Sequence, residues 1–234
     1  MPSLPTRFRS SRHVLRTGRA ALKGFRRALL VLVLLGSSGG CASAHDNVPV
    51  VRLVHVEASG CISREVATGF IVRPGVVMTV AHALQDTKAV TVDGRPATVV
   101  SVDERMDAAL LHLDGGPERF VAFAEPVASA KVDVLRWQLN RTQRFSAAVT
   151  TVAPIEYSDL RLHTTWRRQG FVIDQESRAG DSGSPVLDND GRVVGMLFAS
   201  RLDGQVQGFA LAASEMQTLL SVPPTIPAWV GVCT

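Results

Sequence analysis

The distribution of apolar residues beyond residue 47 constrains the fold of this chain more than any other feature. These residues form short runs rich in β-branched side chains, and Gly, Pro, Asp and Asn separate the runs. Many short runs with frequent turn signals are typical of a β-sandwich or a β-barrel, so we predict an all-β fold. The runs are residues 48–56, 69–72, 76–80, 97–102, 108–113, 132–139, 147–153, 185–187, 192–198 and 206–211.

Three further segments organise this all-β chain. Residues 115–129 contain a Gly-Gly-Pro turn and a second proline, which indicates a linker between two halves. Residues 214–220 are predicted to form a short helix with Ser214 as its N-terminal cap. The proline-rich residues that follow cannot continue this helix, so we expect residues 223–234 to form an extended tail.

The first forty residues have the composition of an export signal. Residues 1–27 are Arg-rich, residues 28–35 are apolar, and residues 36–40 are small. Basic, apolar and small segments in this order are typical of a signal that directs export. Residues 1–40 hold eight of the 25 basic residues and no acidic one, which leaves 17 basic and 21 acidic residues beyond them. The rest of the chain is therefore mildly acidic, which argues against nucleic acid as a partner.

Two sites compete for the end of this signal. Residues 39–41, Gly-Gly-Cys, resemble a bacterial lipoprotein box, in which a lipid on Cys41 would attach the protein to a membrane. Residues 42–44, Ala-Ser-Ala, match instead the cleavage site of ordinary signal peptidase, and the sequence leaves both open. In either case Cys61 and Cys233 remain, and an oxidising compartment would allow a disulfide between them. Two unpaired thiols are the alternative.

One short motif carries a candidate nucleophile. Residues 180–185 read GDSGSP, and Ser182 lies between residues that allow a close backbone approach to a substrate. A serine hydroxyl becomes a useful nucleophile when a base removes its proton and a third group orients that base. The motif by itself is also consistent with an ordinary turn, because Gly, Asp and Ser are common turn residues.

The order of histidine and aspartate along the chain narrows the class of enzyme. No histidine follows Ser182, which excludes the Ser, acid, His order of α/β-hydrolases. His82 follows one apolar run, where a strand end presents its imidazole, and Asp107 immediately precedes another. Asp103 is the rival carboxylate, but its charged neighbours indicate an exposed turn. We therefore expect His82, Asp107 and Ser182 to act together.

Three motifs in this order resemble those of trypsin- and chymotrypsin-like serine peptidases, in particular the exported bacterial branch. They are TVAHA at residues 79–83, DAALL at 107–111 and GDSGSP at 180–185. The resemblance covers roughly residues 50–215 and implies two packed antiparallel β-barrels with the active site between them. The implied organisation is an export signal at 1–40, a first barrel at 48–115, a linker at 116–129, a second barrel at 130–222 and a tail at 223–234.

The resemblance also assigns roles to individual residues. Ser182 would be the nucleophile, His82 the general base and then acid, and Asp107 the group that orients the imidazole. The backbone N–H groups of Gly180 and Ser182 would form the oxyanion hole. No metal or cofactor is required, and the expected partners are protein or peptide substrates.

Three departures from the family pattern bear on the site. Ser184 stands where a second glycine is usual, and Phe198 where many members have a serine that helps to hold the triad aspartate. The chain lacks an Ile-Val-Gly-Gly-like segment, so insertion of a new N-terminal amine at Asp181 is not expected.

Glu176 bears on substrate specificity. It lies six residues before the expected nucleophile, which in the family is the base of the specificity pocket, and a carboxylate there would favour a substrate Lys or Arg. A structural ion pair of Glu176 with Arg178 is the alternative.

Together these observations favour an exported serine endopeptidase. A catalytically inactive, protease-like binding domain of the cell envelope is the alternative, and a serine esterase on the same fold is a third reading. An assembled triad would distinguish the enzymes from the binding domain, because only an activated serine reacts with a fluorophosphonate.

Overall fold

The computed structural model describes residues 51–60, 62–118, 120–138, 140–159, 164–200 and 206–232. The predicted export signal and Cys41 lie outside these residues, and so do Cys61 and Cys233, the two ends of the predicted disulfide. In the described part of the chain, no helix is long and apolar enough to cross a membrane.

The first half of the described chain forms a closed barrel of six antiparallel strands. Their order around the barrel is β1-β2-β3-β6-β5-β4. The strands are β1 Leu53–Gly60, β2 Arg64–Arg73, β3 Val76–Thr79, β4 Thr87–Val92, β5 Arg95–Asp103 and β6 Ala108–His112. A short 3-10 helix, His82–Leu84, follows β3.

The second half forms another closed barrel of six antiparallel strands, in the order β10-β11-β12-β9-β8-β7. The strands are β7 Lys131–Gln138, β8 Arg141–Asp159, β9 Thr164–Ile173, β10 Pro185–Leu187, β11 Val193–Ser200 and β12 Gly208–Ala212. Helix α1, Ala213–Ser221, follows β12 directly. The predicted all-β fold with two barrels and a short C-terminal helix is therefore confirmed.

Two local predictions need correction. Ser214 does not cap helix α1, because the helix starts one residue earlier, after the extended residue Ala212, and no side chain caps it. The sequence also indicated only residues 147–153 as a strand in this region, whereas β8 and β9 form a much longer hairpin. Its outer part places Glu156 opposite Arg167 and Ser158 opposite Thr165, and the few apolar residues between them form no regular run, so apolar periodicity could not predict it.

The apolar core runs through the first barrel and continues into the contact with the second. Phe70, Met78 and Leu111 are fully buried in the first barrel, and the same cluster includes Met196 of β11 and Met216 of α1. Burial of this apolar surface is the main force that holds the two barrels against each other. The loops that face each other across this contact are therefore held by the packed strands behind them.

The residues after α1 return to the first barrel. The Val102 N–H of β5 donates to the Thr225 carbonyl at 2.8 Å, and the Gly231 N–H donates to the Thr87 carbonyl at 2.9 Å. The Trp229 indole also donates to the Glu104 carboxylate at 2.7 Å. The C-terminal segment thus links the helix of the second barrel to the strands and turns of the first.

Candidate active site

His82 is presented where β3 ends. The chain leaves the barrel after Thr79 and begins the 3-10 helix at His82, whose side chain is half-buried. Its ring Nδ1 lies 2.9 Å from Oδ2 and 3.1 Å from Oδ1 of Asp107, and its backbone N–H donates to the same Oδ1 at 2.8 Å. Backbone and ring therefore both orient this histidine against one carboxylate.

Asp107 occupies the turn between β5 and β6, and its side chain is 5% exposed. Its φ of +55° is a left-handed conformation that aspartate adopts more readily than most residues. The Asp107 N–H donates to the Glu104 carbonyl at 3.3 Å, and Asp103 accepts a bond from the Met106 N–H at 2.9 Å. Asp103 therefore shapes the turn, and Asp107 is the carboxylate that contacts His82.

The pKa of His82 is raised above its ordinary value. Burial acts in the opposite direction, because it disfavours the charged imidazolium. The hydrogen bond and the charge of Asp107 outweigh this effect, with a further contribution from Glu65, while the positive charge of Arg168 opposes them. A carboxylate that stabilises an imidazolium is what a general base needs at the moment when it takes up a proton.

Ser182 lies in the loop between β9 and β10, and this loop is bonded to β2 of the first barrel. The Thr68 N–H donates to the Ser182 carbonyl at 2.8 Å, and the Thr68 hydroxyl donates to the Gly180 carbonyl at 2.8 Å. Thr79, three residues before His82, donates in turn through its hydroxyl to the Thr68 carbonyl at 2.8 Å. The structure thus joins the Ser182 loop to the strands that lead to His82.

Gly183 shows how close this approach is. It has a φ of +87°, and a Cβ built on it would lie 1.9 Å from the Thr68 carbonyl oxygen. A side chain at this position would push the Ser182 loop away from β2, since the obstacle is the Thr68 backbone. Glycine at residue 183 is therefore a requirement of the contact between the barrels.

The two N–H groups that were predicted to form the oxyanion hole flank Asp181. Gly180 has a φ of +88°, a conformation that favours glycine. Among the described residues, neither the Gly180 N–H nor the Ser182 N–H donates to a protein acceptor. Both groups are therefore available for an oxygen atom placed beside Ser182.

Asp181 is held by a buried cation that the sequence did not indicate. The side chains of Arg136 and Asp181 are 2% and 1% exposed, and Arg136 Nε lies 3.2 Å from Asp181 Oδ2. Burial lowers the pKa of the Arg136 guanidinium, and the Asp181 charge counteracts this shift. Arg136 also donates to the Glu176 carbonyl and packs 4.6 Å from the centre of the Phe145 ring. The positive charge of buried Arg136 thus balances the negative charge of Asp181, the residue before Ser182.

A second buried arginine contacts Asp107. Arg168 Nη1 lies 3.9 Å from Asp107 Oδ2, and its side chain is 1% exposed. Its guanidinium lies 4.4 Å from the centre of the Phe198 ring. Phe198, which stands where the family resemblance suggests a serine, therefore supports an arginine beside Asp107.

Two further predicted residues lie close to this loop. Ser184, in place of a second glycine, is fully buried, and its hydroxyl has no hydrogen-bond partner among the described residues. The Glu176 side chain is exposed, and its backbone carbonyl is the group that Arg136 binds. In the described residues, no cluster of three His, Cys, Asp or Glu side chains has the arrangement of a metal site.

Comparison with known proteins places these observations in a family. Residues 67–196 match the profile of the trypsin-like peptidase domain. Two serine proteases, MT3772 and Rv3671c, from two strains of Mycobacterium tuberculosis, are each 32% identical over 197 residues. The match covers 79% of this chain and 49% of each relative, so the chain spans about half the length of these curated relatives.

A solved structure supports the same assignment. The active form of the Rv3671c protease superimposes with a TM-score of 0.71 at 29% identity, covering 92% of this chain and 99% of that one. A protein of Chlamydia pneumoniae named as a DegP-like periplasmic serine endoprotease is 28% identical over 137 residues, 55% of this chain and 28% of that protein.

Proposed function

The chain belongs to the trypsin-like peptidase family, and from this membership we propose that it is an exported serine endopeptidase. The observation that carries the proposal is the contact of the His82 ring with both carboxylate oxygens of Asp107, at 2.9 and 3.1 Å. Thr68 of β2 bonds the Ser182 loop to the barrel that carries this pair. Fold alone does not imply activity, but this arrangement pairs a base with an orienting acid and bonds the loop of the candidate nucleophile to the barrel that carries them.

In the proposed mechanism, Ser182 Oγ attacks the carbonyl carbon of the scissile peptide while His82 takes up the hydroxyl proton. Asp107 stabilises the resulting imidazolium, and the N–H groups of Gly180 and Ser182 donate to the oxyanion. His82 then gives its proton to the leaving amine, the C–N bond breaks, and an acyl-enzyme on Ser182 remains. Water hydrolyses this ester with His82 again acting as base, which regenerates the free hydroxyl.

Labelling with a fluorophosphonate tests this proposal directly. We expect the wild-type protein to react at Ser182, as located by peptide mass spectrometry, and both Ser182→Ala and His82→Ala to stay unlabelled. Ser184→Ala is the matched control, because it removes a neighbouring hydroxyl that is buried, and it should be labelled like the wild type. A folded wild-type protein that does not react would indicate the non-catalytic binding domain instead.

We also propose that residues 1–40 direct export. The periplasmic location in the name of the Chlamydia relative supports this proposal, together with the basic, apolar and small segments of residues 1–40. Intact mass of the protein from its native host should show loss of these residues, with a lipid adduct if Cys41 becomes the N-terminus. A mass lower by two hydrogen atoms than that of the reduced form would support a Cys61–Cys233 disulfide. A full-length protein with freely alkylated thiols would contradict both.

The specificity proposal concerns Glu176. Its position six residues before Ser182 and its exposed side chain are consistent with a carboxylate that receives a substrate Lys or Arg. A peptide-library profile of the wild type and Glu176→Gln tests it. Cleavage after Lys or Arg that is lost in the variant supports the role, and an unchanged profile contradicts it.

A further inference from the structure

Arg168 reaches from the second barrel to the turn that carries Asp107. It belongs to β9, and its side chain is almost completely buried. Its Nη1 donates to the Met106 carbonyl and lies 3.9 Å from Asp107 Oδ2. The ring of Phe198 on β11 lies against the guanidinium, 4.4 Å from its carbon to the ring centre. The Phe198 ring and the Met106 carbonyl therefore hold this side chain of β9 in a single orientation.

The bond to Met106 holds a specific peptide group. The peptide between Met106 and Asp107 donates through its N–H to the Glu104 carbonyl and accepts through its carbonyl from Arg168. Both polar ends of this peptide are thus engaged next to a residue with a φ of +55°. A left-handed conformation of a non-glycine residue persists when the surroundings determine it, and Arg168 supplies the part of those surroundings that comes from the second barrel.

We propose that Arg168 is a positioning residue for the triad: it fixes the Met106–Asp107 peptide and thereby directs the Asp107 carboxylate toward His82. The inference rests on the proposed peptidase function. It makes the geometry of the His82–Asp107 pair, which belongs entirely to the first barrel, dependent on a side chain of the second barrel. A planar guanidinium suits this role, because it can bind the carbonyl and face the carboxylate at once.

The charge of Arg168 provides a second readout. The charged groups that act on the His82 ring are Asp107 and Glu65, which raise its pKa, and Arg168, which lowers it. If Arg168 positions Asp107, its removal lets the carboxylate leave His82, and the pKa of His82 should fall, because the effects of the Asp107 hydrogen bond and charge exceed that of the Arg168 charge. Loss of the Arg168 charge alone, with Asp107 still in place, would raise the pKa of His82 instead. Since the reaction needs a neutral His82, the positioning role predicts that the acidic limb of kcat/KM moves to lower pH.

Three variants separate positioning from simple packing. Arg168→Met removes the charge and the donor, Arg168→Lys keeps a charge but loses the planar fork, and Arg167→Met is the matched control. Arg167 is the preceding residue on β9 and its side chain is exposed, because successive strand residues face opposite sides. Each protein is assayed for kcat and KM across pH, and the His82 ring is titrated by NMR, with its signal assigned by its absence in His82→Ala.

We expect Arg168→Met to lower kcat about 100-fold with KM nearly unchanged, the loss typical of a misplaced catalytic group. Its acidic limb and its His82 titration should both shift to lower pH. Arg168→Lys should lose kcat and shift its acidic limb in the same direction to a smaller extent, and Arg167→Met should match the wild type throughout.

Two results would overturn the inference. One is an Arg168→Met protein with wild-type kcat, or with a His82 titration that stays in place or moves to higher pH, and the other is an Arg167→Met protein with the same losses as Arg168→Met. If Arg168→Met does not fold, a fully active Arg168→Lys protein refutes the positioning contact. A wild-type protein that fails to react with fluorophosphonate refutes the proposed function instead, and the NMR titration still tests the coupling of Arg168 to His82.

Discussion

The second barrel contributes two buried arginines, each of which faces an aspartate of the candidate site, and the two pairs differ in an instructive way. Arg136 and Arg168 are both almost fully buried, and each packs on a phenylalanine ring. Arg136 lies 3.2 Å from Asp181, inside the second barrel. Arg168 lies 3.9 Å from Asp107, across the contact between the barrels. One arginine thus acts within a barrel and the other between two.

The difference lies in what else each aspartate binds. Asp181 also accepts a hydrogen bond from the Arg178 N–H at 2.8 Å, so these two contacts of its carboxylate stabilise the Ser182 loop. Asp107 accepts from His82 at 2.8 to 3.1 Å and shares its charge between the histidine and Arg168. The close pair therefore supports stability, whereas the more distant pair influences acid–base chemistry. The predictions below test this division.

Asp107→Asn should have the largest effect on activity. It keeps the size of the side chain but favours the wrong tautomer of His82, and we expect kcat to fall about 10⁴-fold. The measurement is the steady-state rate on a peptide or ester substrate. Asp103→Asn, which alters the neighbouring carboxylate of the same turn, is the control and should retain most activity. A greater loss in Asp103→Asn than in Asp107→Asn would contradict the assignment.

Arg136→Met should have the largest effect on stability. It leaves the Asp181 charge buried without its cation, which typically costs about 3–5 kcal/mol. Urea unfolding measures the loss, and the double variant Arg136→Met/Asp181→Asn should recover part of it, because no buried charge remains. Arg144→Met, which breaks the exposed ion pair with Asp133, should cost under about 1 kcal/mol. Equal losses in Arg136→Met and Arg144→Met would show that the buried pair does not support the loop.

Because of the His82–Asp107 pair, stability and activity should depend on pH in opposite directions. Because the pKa of His82 is raised in the folded state, its contribution to stability is complete below the ordinary value of 6.5 and is lost as pH rises through the raised pKa. Activity needs the neutral ring and should fall as pH decreases through the same value. Urea unfolding and kcat/KM, each followed across pH, measure the two trends. His82→Gln should lose this component of the pH-dependent stability, and a stability difference from the wild type that does not vary with pH would contradict the pairing.

Thr68→Val should have the smallest effect. It removes the hydroxyl that binds the Gly180 carbonyl across the contact between the barrels, and one such bond contributes about 1 kcal/mol. We expect a small loss of stability by urea unfolding and a modest loss of kcat. Thr68→Ser keeps the hydroxyl and should retain more activity than Thr68→Val. The reverse order would show that the methyl group of Thr68, and not its hydrogen bond, matters.

The sequence predicted the parts of the molecule that follow from local pattern. Short β-branched runs indicated most strands, and the motifs around His82, Asp107 and Ser182 marked residues that the fold brings to the contact between the barrels. The buried arginines could not be predicted, because an isolated Arg136 or Arg168 is normally an exposed residue. Their burial depends on partners 45 and 61 residues away along the chain, Asp181 and Asp107, and no local signal records such a pairing.

The hydrogen bond between the Thr68 hydroxyl and the Gly180 carbonyl also bears on when the proposed triad can assemble. It joins residues 112 positions apart in the chain, on the two sides of the contact between the barrels. During translation the first barrel leaves the ribosome before the loop that must dock on it has been made, since folding proceeds from the N-terminus. Gly183 reaches Thr68 only after that later part of the chain has emerged. A nascent chain therefore carries His82 and Asp107 before Ser182 has been made, and the proposed triad can assemble only once the second barrel has emerged.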